Sequence, residues 1–248
     1  MRVLAIAPCT NEVGRIGKVI AAMPHEVTQA LVIDDGSTDG TGDEARRAGA
    51  RVIRVPGRRG VGAAIRTGLR VARTDGYDVA VVLAGNTKDD PRQIPLLLEP
   101  IAAGTADFVQ GSRWLARRAS LGPMPLHRRV ATRVHPLLFT AVTGRFVTES
   151  TNGFRALSRR LLEDPRLDLD APWLDGYQLE PWLYVRAVRL GYRTVEVPVR
   201  KVYPSSGPQT RMPPVIGWWQ MLEPLARALG RQPFGVRRNT ARTDAAEG

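Results

Sequence analysis

The sequence LVIDDGSTDGT at residues 31–41 is a short apolar run that ends in two carboxylates and then breaks into glycine and hydroxyl residues. The apolar part predicts a strand buried on both faces, and the glycine-rich cluster after it predicts a turn. A helix is expected to begin near Thr41, where Asp39 or Thr41 itself can accept hydrogen bonds from free backbone N–H groups. Ligands of open α/β sheets bind beyond the carboxyl ends of the strands, so Asp34 and Asp35 are well placed to accept hydrogen bonds from a base or a ribose.

The same unit of strand, polar loop and helix repeats through the first third of the chain. Strands are predicted at residues 2–7, 29–33, 51–55 and 78–83, and helices at residues 14–23, 41–48 and 60–72. Short strands that alternate with helices predict right-handed crossovers, and hence an α/β fold with a Rossmann-like, mostly parallel sheet flanked by helices. The loops after the strands then converge on one edge of the sheet. The pair Asp34-Asp35 could alone be a plain turn, but its position among these loops favours a binding loop.

The four loops that follow the predicted strands are rich in groups that bind nucleotides. They are residues 8–12 (PCTNE), 34–41 (DDGSTDGT), 56–64 (PGRRGVGAA) and 84–91 (AGNTKDDP). Carboxylates can bind a base and a ribose, whereas arginines and backbone amides can bind phosphates. The third loop has the glycine and arginine content of a phosphate-binding loop, but it lacks both the Walker lysine spacing and the G-x-G-x-x-G pattern.

The composition limits the class of protein. A chain of 248 residues that is 43% hydrophobic can bury one large core, so a single domain at residues 1–230 is expected. Cys9 is the only cysteine and the three histidines are scattered, which excludes an internal disulfide framework and a zinc site and favours the reduced cytoplasm. No apolar run reaches the ~18 to 20 residues of a membrane span. The net charge of +12 requires anionic partners, namely nucleic acid, phospholipid or a phosphorylated substrate.

An ordered set of motifs resembles the family 2 glycosyltransferases, and within them the dolichyl-phosphate mannose synthase branch with its bacterial polyprenyl-phosphate relatives. The motifs are PCTNE (8–12), VIDDGSTDGT (32–41), RRGVGAAIRTGL (58–69), QGSRWL (110–115), TNGFRALSRR (151–160), DGYQLE (175–180) and LGYRTVEVPV (190–199). The resemblance implies a GT-A fold. It also implies an inverting transfer from a UDP- or GDP-linked sugar to a lipid phosphate, by an enzyme peripheral on the inner face of the cell membrane.

The resemblance also implies which residues bind the nucleotide. They are Pro8, Thr10, Asn11, Glu12, Asp34, Asp35 and Arg59. Thr10 stands where the family pattern has a tyrosine, so aromatic stacking on the base is not expected. Arg59 or Arg58 stands where relatives often have a lysine.

The fourth loop departs most from the resembled pattern, which is D-A-D-G-Q-H-x-P and holds a divalent cation. Residues 84–90 read AGNTKDD here, so Ala84 replaces a metal-binding aspartate and Lys88 replaces the glutamine. Either Asn86 and Asp89 form a shifted metal site, or the Lys88 ammonium binds the donor diphosphate in place of part of the metal's charge. We expect the metal site, with Mg²⁺ or Mn²⁺, and we expect Asn86, Lys88 and Asp89 to be the catalytic residues.

The second half of the chain is expected to bind the acceptor. By resemblance, the residues that bind the acceptor phosphate are Arg113, Arg128, Thr132 and Arg155, and the residues that form the sugar cleft are Asn152, Gln178 and Glu180. Arg211, a cation at the end of the loop at residues 199–211, is also expected to bind the acceptor phosphate. Arginine suits this role because its planar guanidinium binds phosphate oxygens bidentately. Solvated charges on an amphipathic helix remain the alternative for Arg117 and Arg118, and less so for Arg113, which follows the end of a strand.

The C-terminal segment allows two interpretations. Residues 199–211 form a Pro-Gly-Ser loop that could close over the substrates. The helix at 213–230 carries paired tryptophans and either packs on the catalytic core or lies in the membrane interface. Residues 235–248 lack hydrophobic periodicity, which predicts a disordered tail.

The chemistry of the acceptor decides which residues are needed. A phosphate monoester is already deprotonated at neutral pH and needs no general base, whereas a hydroxyl acceptor would need a carboxylate such as Asp89, Asp175 or Glu180. A nucleic-acid-binding protein is disfavoured because carboxylate-bearing loops would repel phosphate backbones, so no nucleic acid partner is expected. A degenerate glycosyltransferase that binds a sugar nucleotide without transferring the sugar remains an alternative.

Overall fold

The computed structural model describes residues 1–115, 124–203, 212 and 214–230. The strands are β1 (Val3–Cys9), β2 (Gln29–Asp35), β3 (Arg51–Val55), β4 (Val79–Val82), β5 (Phe108–Ser112), β6 (Arg155–Ser158) and β7 (Thr194–Pro198). The helices are α1 (Ile16–Ala21), α2 (Thr41–Arg47), α3 (Val61–Thr74), α4 (Ile94–Ala102), α5 (Leu126–Thr143), α6 (Arg159–Leu162), α7 (Leu179–Arg189) and α8 (Pro214–Gly230). The described part of the chain therefore alternates strand and helix as the sequence pattern predicts.

The strands form one sheet in the order β3-β2-β1-β4-β6-β5-β7. β1 pairs in parallel with both β2 and β4, and β2 pairs in parallel with β3. The first four strands therefore end at the same edge of the sheet, as predicted. β6 lies antiparallel between β4 and β5, and β7 pairs in parallel with β5. β6 was not predicted as a strand, because its four residues (RALS) carry no alternation of apolar and polar side chains.

Apolar layers cover both faces of the sheet. Along β2, Leu31 and Ile33 belong to the cluster on one face and Val32 to the cluster on the other, and all three side chains are fully buried. The predicted two-sided burial of this strand is confirmed. α3 and α7 contribute to the first cluster, and α1 and α4 contribute to the second. The sheet edge between these layers is left open for polar loops.

Helix α8 packs on α5 and α7 through one face only. Met221, Leu225 and Ala228 are buried there, whereas Ile216 and Trp219 are 62% and 65% exposed. The predicted packing on the core therefore accounts for the side of α8 that carries Met221, Leu225 and Ala228. Among the residues that the structure describes, no helix combines the length and the apolar content that a membrane span requires.

Candidate active site

A cavity of about 680 Å³ lies at the carboxyl ends of β1, β2, β3 and β4. The predicted site residues in its wall are Pro8, Thr10, Glu12, Asp35, Arg59, Asn86, Lys88, Asp89, Arg113, Arg128, Thr132 and Glu180. Glu12, Asp35 and Asn86 come from three different loops, and the prediction that these loops meet in one cavity is confirmed. Arg15, Arg58 and Lys201 also line the cavity, so cations outnumber carboxylates in the wall. The cavity is therefore suited to an anionic ligand.

The two aspartates at the end of β2 have different places. Asp34 Oδ1 accepts a hydrogen bond from Ser37 N over 2.8 Å, and Asp34 lies outside the cavity wall. Asp34 therefore stabilises the turn after β2. It does not line the cavity, where we expected it to contact the ligand. Asp35 is in the wall, and its two carboxylate oxygens accept from Arg59 N over 2.7 Å and from Gly60 N over 2.9 Å. Asp35 thus fixes the basic third loop against the end of β2.

The first loop is held by the second. Asn11 has a positive φ of 51°, its Oδ1 accepts from Thr38 N over 2.8 Å, and the residue lies behind the cavity wall rather than in it. Glu12 N donates to Thr41 Oγ1 over 2.7 Å, and a Glu12 carboxylate oxygen lies 3.1 Å from Arg15 Nε. These bonds place the Glu12 carboxylate and the Arg15 guanidinium together at the cavity.

The start of α3 packs very closely on residues 172–176. A Cβ built on Gly62 would lie 2.1 Å from the backbone oxygen of Leu174, so only glycine fits at this position. The Arg66 guanidinium, which is buried in α3, forms an ion pair with Asp175, and Asp175 lines the cavity. Asp175 is therefore charge-compensated, which makes it a poor general base.

The fourth loop turns back on itself through its own polar groups. Ala84 N donates to Asp89 Oδ2 over 3.0 Å, and Lys88 N donates to Asn86 Oδ1 over 3.3 Å. Thr87 between them has a φ of +63°, which is unusual for a β-branched residue and indicates a locally strained turn. Asp89 is 1% exposed, so its carboxylate lies at the base of the cavity.

Lys201 contacts the fourth loop from the other end of the chain. Its Nζ donates to Asp89 Oδ1 over 2.6 Å and to Asn152 Oδ1 over 2.8 Å. Burial, followed by the charges of Lys201 and Arg128, lowers the pKa of Lys88 to about 8, so the Lys88 ammonium remains mostly charged at pH 7. Sequence reasoning missed Lys201, because the residue is 112 positions from its partner Asp89.

The donor atoms of this loop do not fit a divalent cation. Mg²⁺ and Mn²⁺ prefer several anionic oxygens, but Ala84 offers a methyl group and Asn86 a neutral amide oxygen that already accepts a hydrogen bond. The carboxylate of Asp89 is neutralised by Lys201. Among the residues that the structure describes, no group of three or more histidines, cysteines or acidic residues could hold a metal ion.

A cluster of arginines forms the other end of the cavity. Arg113 Nη1 donates to Tyr203 Oη over 2.7 Å, and Arg113 Nε donates to Glu149 Oε2 over 2.6 Å. Burial alone would lower the pKa of Arg113, but the charge of Glu149 raises it above its ordinary value. Arg128 stacks over the other side of the site, with its guanidinium carbon 5.6 Å from the centre of the Tyr203 ring.

Arg128 is the arginine of this cluster with spare hydrogen-bonding capacity. Its Nε is buried and has no hydrogen-bond partner in the part of the chain that the structure describes. Burial lowers the pKa of the guanidinium. Thr132 lies one turn further along α5, and its Oγ1 donates to Arg128 O over 2.8 Å. Arg128 and Thr132 both line the cavity, and a guanidinium in a cavity wall is a strong donor for an anionic oxygen.

Three predicted site residues lie behind the wall. Arg155 is fully buried and donates to the backbone oxygens of Asn152 and Glu180. Asn152 Nδ2 donates to Gly111 O over 2.9 Å, and Gln178 Nε2 donates to Glu223 Oε2 over 3.2 Å. These residues connect the strands and helices that support the cavity, which differs from the direct ligand contacts we expected of them. The predicted phosphate ligand Arg211 lies outside the described residues.

Glu180 does reach the cavity wall. Its Oε1 lies 3.6 Å from Arg155 Nη2. Burial raises the pKa of Glu180, although the charges of Arg155 and Lys201 oppose the shift. The group is thus a buried carboxyl beside two cations, and sequence reasoning located it through the DGYQLE motif.

Comparisons with known proteins agree with this geometry. The family described as glycosyl transferase family 2 matches residues 5–165. An undecaprenyl-phosphate mannosyltransferase of Micrococcus luteus is 34% identical over 229 residues, which cover 88% of this chain and 90% of the relative. A polyprenol monophosphomannose synthase of Mycolicibacterium smegmatis is 32% identical over 206 residues, which cover 80% of this chain and 76% of the relative.

Among solved structures, the glucosyl-3-phosphoglycerate synthase of Mycobacterium tuberculosis in complex with phosphoglyceric acid has a TM-score of 0.70 and 25% identity. The match covers 94% of this chain and 82% of that chain. The same synthase has been crystallised with Mn²⁺, uridine-diphosphate-glucose and phosphoglyceric acid. The expected GT-A fold is thereby confirmed.

Proposed function

This chain belongs to glycosyltransferase family 2, and we propose that it transfers a sugar, with inversion, from a nucleotide-sugar donor to a polyprenyl phosphate. The observation that carries the proposal is that one cavity contains both the polar loops after β1, β2 and β4 and a buried arginine cluster. The first set of groups suits a nucleoside diphosphate, and the second suits a phosphate monoester. Relatives that cover most of this chain are named for polyprenyl-phosphate acceptors.

The donor is expected to occupy the part of the cavity beside the first three loops. Glu12 and Asp35 supply carboxylates for the base and ribose, and Thr10 and Pro8 lie in the same wall. Arg59 belongs to the loop that Asp35 fixes, and its guanidinium lies in the cavity wall, 3.7 Å from the Asp175 carboxylate. We assign it to the donor phosphates. UDP- and GDP-linked donors both fit this description.

The acceptor phosphate is expected to bind Arg113, Arg128 and Thr132. All three residues line the cavity, and this supports the assignment because a guanidinium binds phosphate oxygens bidentately. Arg155 and Asn152 would then act as positioning residues behind the wall, with Glu180 beside the transferred sugar.

Such a reaction needs no general base. The acceptor phosphate is deprotonated near pH 7 and can attack the anomeric carbon directly. Two carboxylates of the cavity, Asp89 and Asp175, are paired with Lys201 and Arg66, which makes them weak proton acceptors. Positioning of the two substrates and stabilisation of the leaving nucleoside diphosphate then supply the catalysis.

Helix α5 supports an acceptor that stays in a membrane. Its inner face carries Arg128 and Thr132 toward the cavity, whereas Leu126, Val130 and Leu137 on its outer face are 74%, 55% and 65% exposed. A helix that exposes an apolar stripe and carries arginines on its flank suits the interface of an anionic bilayer. We therefore propose peripheral binding to the cytoplasmic face of the cell membrane through α5 and the exposed side of α8.

One observation supports the use of a divalent cation by this chain, and another observation argues against it. The complex of the mycobacterial synthase with Mn²⁺ and uridine-diphosphate-glucose supports a metal in this fold, with Mg²⁺ or Mn²⁺ as the candidates. The donor atoms of Asn86 and Asp89 in this chain do not fit such an ion.

The test is a transfer assay with the full chain. Radiolabelled UDP-glucose, UDP-N-acetylglucosamine and GDP-mannose are each incubated with undecaprenyl phosphate or with undecaprenol, and label is counted in the organic extract. Label that enters the lipid only with the phosphate is the expected result. Transfer to undecaprenol would instead indicate a hydroxyl acceptor, and donor binding without transfer to either lipid would indicate a degenerate enzyme.

A further inference from the structure

We propose that the ammonium groups of Lys88 and Lys201 take the place of a divalent cation, so that this enzyme binds the donor diphosphate and releases it without a metal. The inference deepens the proposed function and rests on it, since it concerns the same donor site. It names the groups that neutralise the leaving diphosphate, and it distinguishes this chain from the metal-bound synthase whose fold it shares.

The first observation is that the carboxylate of the fourth loop is already in use. Asp89 is 1% exposed, with one oxygen bonded to Ala84 N and the other to Lys201 Nζ. A divalent cation would have to displace a 2.6 Å ion pair and compete with an ammonium that the chain itself supplies. The Asp89 carboxylate serves here as an anchor for Lys201.

The second observation is how the backbone brings the two lysines together. Val202 N donates to Lys88 O over 3.0 Å, and Asp89 and Lys201 form an isolated antiparallel bridge. The segment after β7 is thus attached directly to the fourth loop. Both lysines line the same cavity, so a single ligand bound there lies beside both side chains.

The third observation is the choice of residue. The chain has 36 lysines and arginines, and only three of them are lysines. Two of these three line the cavity, in a chain that uses arginine almost everywhere else. An ammonium is a compact point charge with three rotatable donors, whereas a guanidinium is a broad planar fork. A compact cation is the closer substitute for a metal ion between phosphate oxygens.

The fourth observation concerns the remaining donors of Lys201. An ammonium has three N–H groups, and Asp89 and Asn152 accept from Lys201. Both partners are buried parts of the protein, so they orient the side chain and leave its third N–H for a ligand in the cavity that Lys201 lines. Lys201 is therefore held ready for an anion before the ligand arrives.

The step in which these cations act can be written without a proton transfer. The acceptor phosphate oxygen forms a bond to the anomeric carbon as the bond from that carbon to the donor's β-phosphate oxygen breaks. The electron pair of the broken bond stays on the β-phosphate oxygen. The ammonium groups of Lys88 and Lys201 stabilise the negative charge that develops there.

The experiment measures nucleotide binding by the full chain. Isothermal titration calorimetry with UDP and with GDP is run in excess EDTA and again in excess MnCl₂, and Mn²⁺ bound to the protein is followed by electron paramagnetic resonance. Whichever of UDP and GDP binds more tightly is expected to have the same Kd in the EDTA and the MnCl₂ buffers. We also expect to see no signal from protein-bound Mn²⁺. A gain of more than about tenfold in affinity with Mn²⁺, which equals 1.4 kcal/mol, would overturn the inference.

Variants separate the lysines from the rest of the site. Lys88→Gln is expected to weaken nucleoside diphosphate binding by about 10- to 100-fold, because a charge-assisted bond is lost, and to leave the binding of the corresponding nucleoside unchanged. Lys88→Arg keeps the charge and should retain most of the affinity. Lys18→Gln removes the third lysine, which is exposed on α1, and serves as the matched control. Equal binding of UDP or GDP by Lys88→Gln and wild type would contradict the proposal.

A gain-of-function variant completes the test. The triple variant Ala84→Asp, Asn86→Asp and Lys88→Gln restores the acidic pattern of the fourth loop, and it should acquire both a bound Mn²⁺ signal and metal-dependent nucleotide binding. The wild-type titrations need no variant, so they decide the inference even where a variant does not fold. Failure of both nucleotides to bind in either buffer would instead contradict the proposed donor site, and the inference with it.

Discussion

Arg113 and Glu149 form an ion pair at the base of the acceptor end of the cavity, with Nε and Oε2 2.6 Å apart. The two side chains are 2% and 0% exposed, so the pair is almost fully removed from water. Arg113 follows the end of β5 and Glu149 precedes β6, and the pair therefore connects two neighbouring strands. A buried charge that loses its partner costs far more than an exposed one.

Replacement of Glu149 should therefore destabilise the protein strongly. Glu149→Gln leaves the buried Arg113 uncompensated, and we expect the free energy of unfolding to fall by about 3–5 kcal/mol. Urea denaturation followed by circular dichroism measures the change. The matched control is Glu163→Gln, which breaks an exposed pair with Arg159 and should cost less than about 1 kcal/mol. Equal stabilities of the two variants would contradict the role given to the buried pair.

His135 should make the stability depend on pH. Its Nε2 lies 3.0 Å from Met221 O, which can only accept, so Nε2 carries the proton and Nδ1 accepts from Ser150 Oγ over 2.7 Å. Burial lowers the pKa of His135 below its ordinary value of 6.5. Below pH 6.5 the unfolded chain therefore binds more protons than the folded one, and stability falls as the pH decreases toward the lowered pKa.

The measurement for His135 is the free energy of unfolding between pH 5 and pH 8. The contribution of this group should change by at most about 1.4 kcal/mol per pH unit. His135→Gln cannot titrate, so its stability should lack this component, whereas the exposed His25→Gln should behave as wild type. The same slope in His135→Gln and wild type would show that other groups cause it.

Arg128 should matter for the acceptor and not for the donor. Arg128→Gln removes the buried guanidinium, and we expect kcat/KM for a short-chain, water-soluble prenyl phosphate to fall by about 10- to 100-fold. The Kd of UDP or GDP should stay within a factor of about two of the wild-type value, because a change at one end of the cavity has little effect on contacts at a distant, independent position. Arg129→Gln changes the next, exposed residue of α5 and is the control. An equal loss in donor binding would show that Arg128 serves the nucleotide instead.

The outer face of α5 should determine membrane binding. The double variant Val130→Ser and Leu137→Ser removes exposed apolar surface, and we expect its partition onto vesicles of phosphatidylglycerol and phosphatidylcholine to fall by tenfold or more, about 1.4 kcal/mol. Val13→Ser and Leu96→Ser change exposed apolar residues elsewhere and should leave partition unchanged. Cosedimentation measures the bound fraction. Loss in both pairs of variants would point to general hydrophobicity and not to α5.

The first half of the fold could be predicted from sequence because its signals are local. Each of the first four strands is a continuous apolar run with a polar loop at its end, and Leu31, Val32 and Ile33 are buried as that pattern indicates. The positions of Glu12 and Asp35 in one cavity followed from the parallel arrangement alone. β6 has no such apolar run. Its first residue, Arg155, is an arginine, a residue type usually found at the surface, and it is buried here because it donates to the backbone oxygens of Asn152 and Glu180.

The missed parts of the site depend on distant contacts. Lys201 pairs with Asp89, and Tyr203 accepts a hydrogen bond from Arg113. Both partners lie far away in sequence, and no spacing rule relates such positions. The rarity of lysine in the chain is a compositional signal that could have drawn attention to Lys201. Asp34 was predicted to contact the ligand because it belongs to the same motif as Asp35. Only Asp35 lines the cavity, whereas Asp34 stabilises the turn.

The two faces of α5 set a length scale for the acceptor. A helix with its side chains is about 10–12 Å across, so the arginine on the inner face lies one helix width from the plane where the apolar stripe would meet the bilayer. Only the head of the lipid and its nearest isoprene units need to rise through that thickness, while the distal tail remains among the acyl chains. Polyprenyl phosphates that differ only in the number of distal isoprene units should therefore be used equally well.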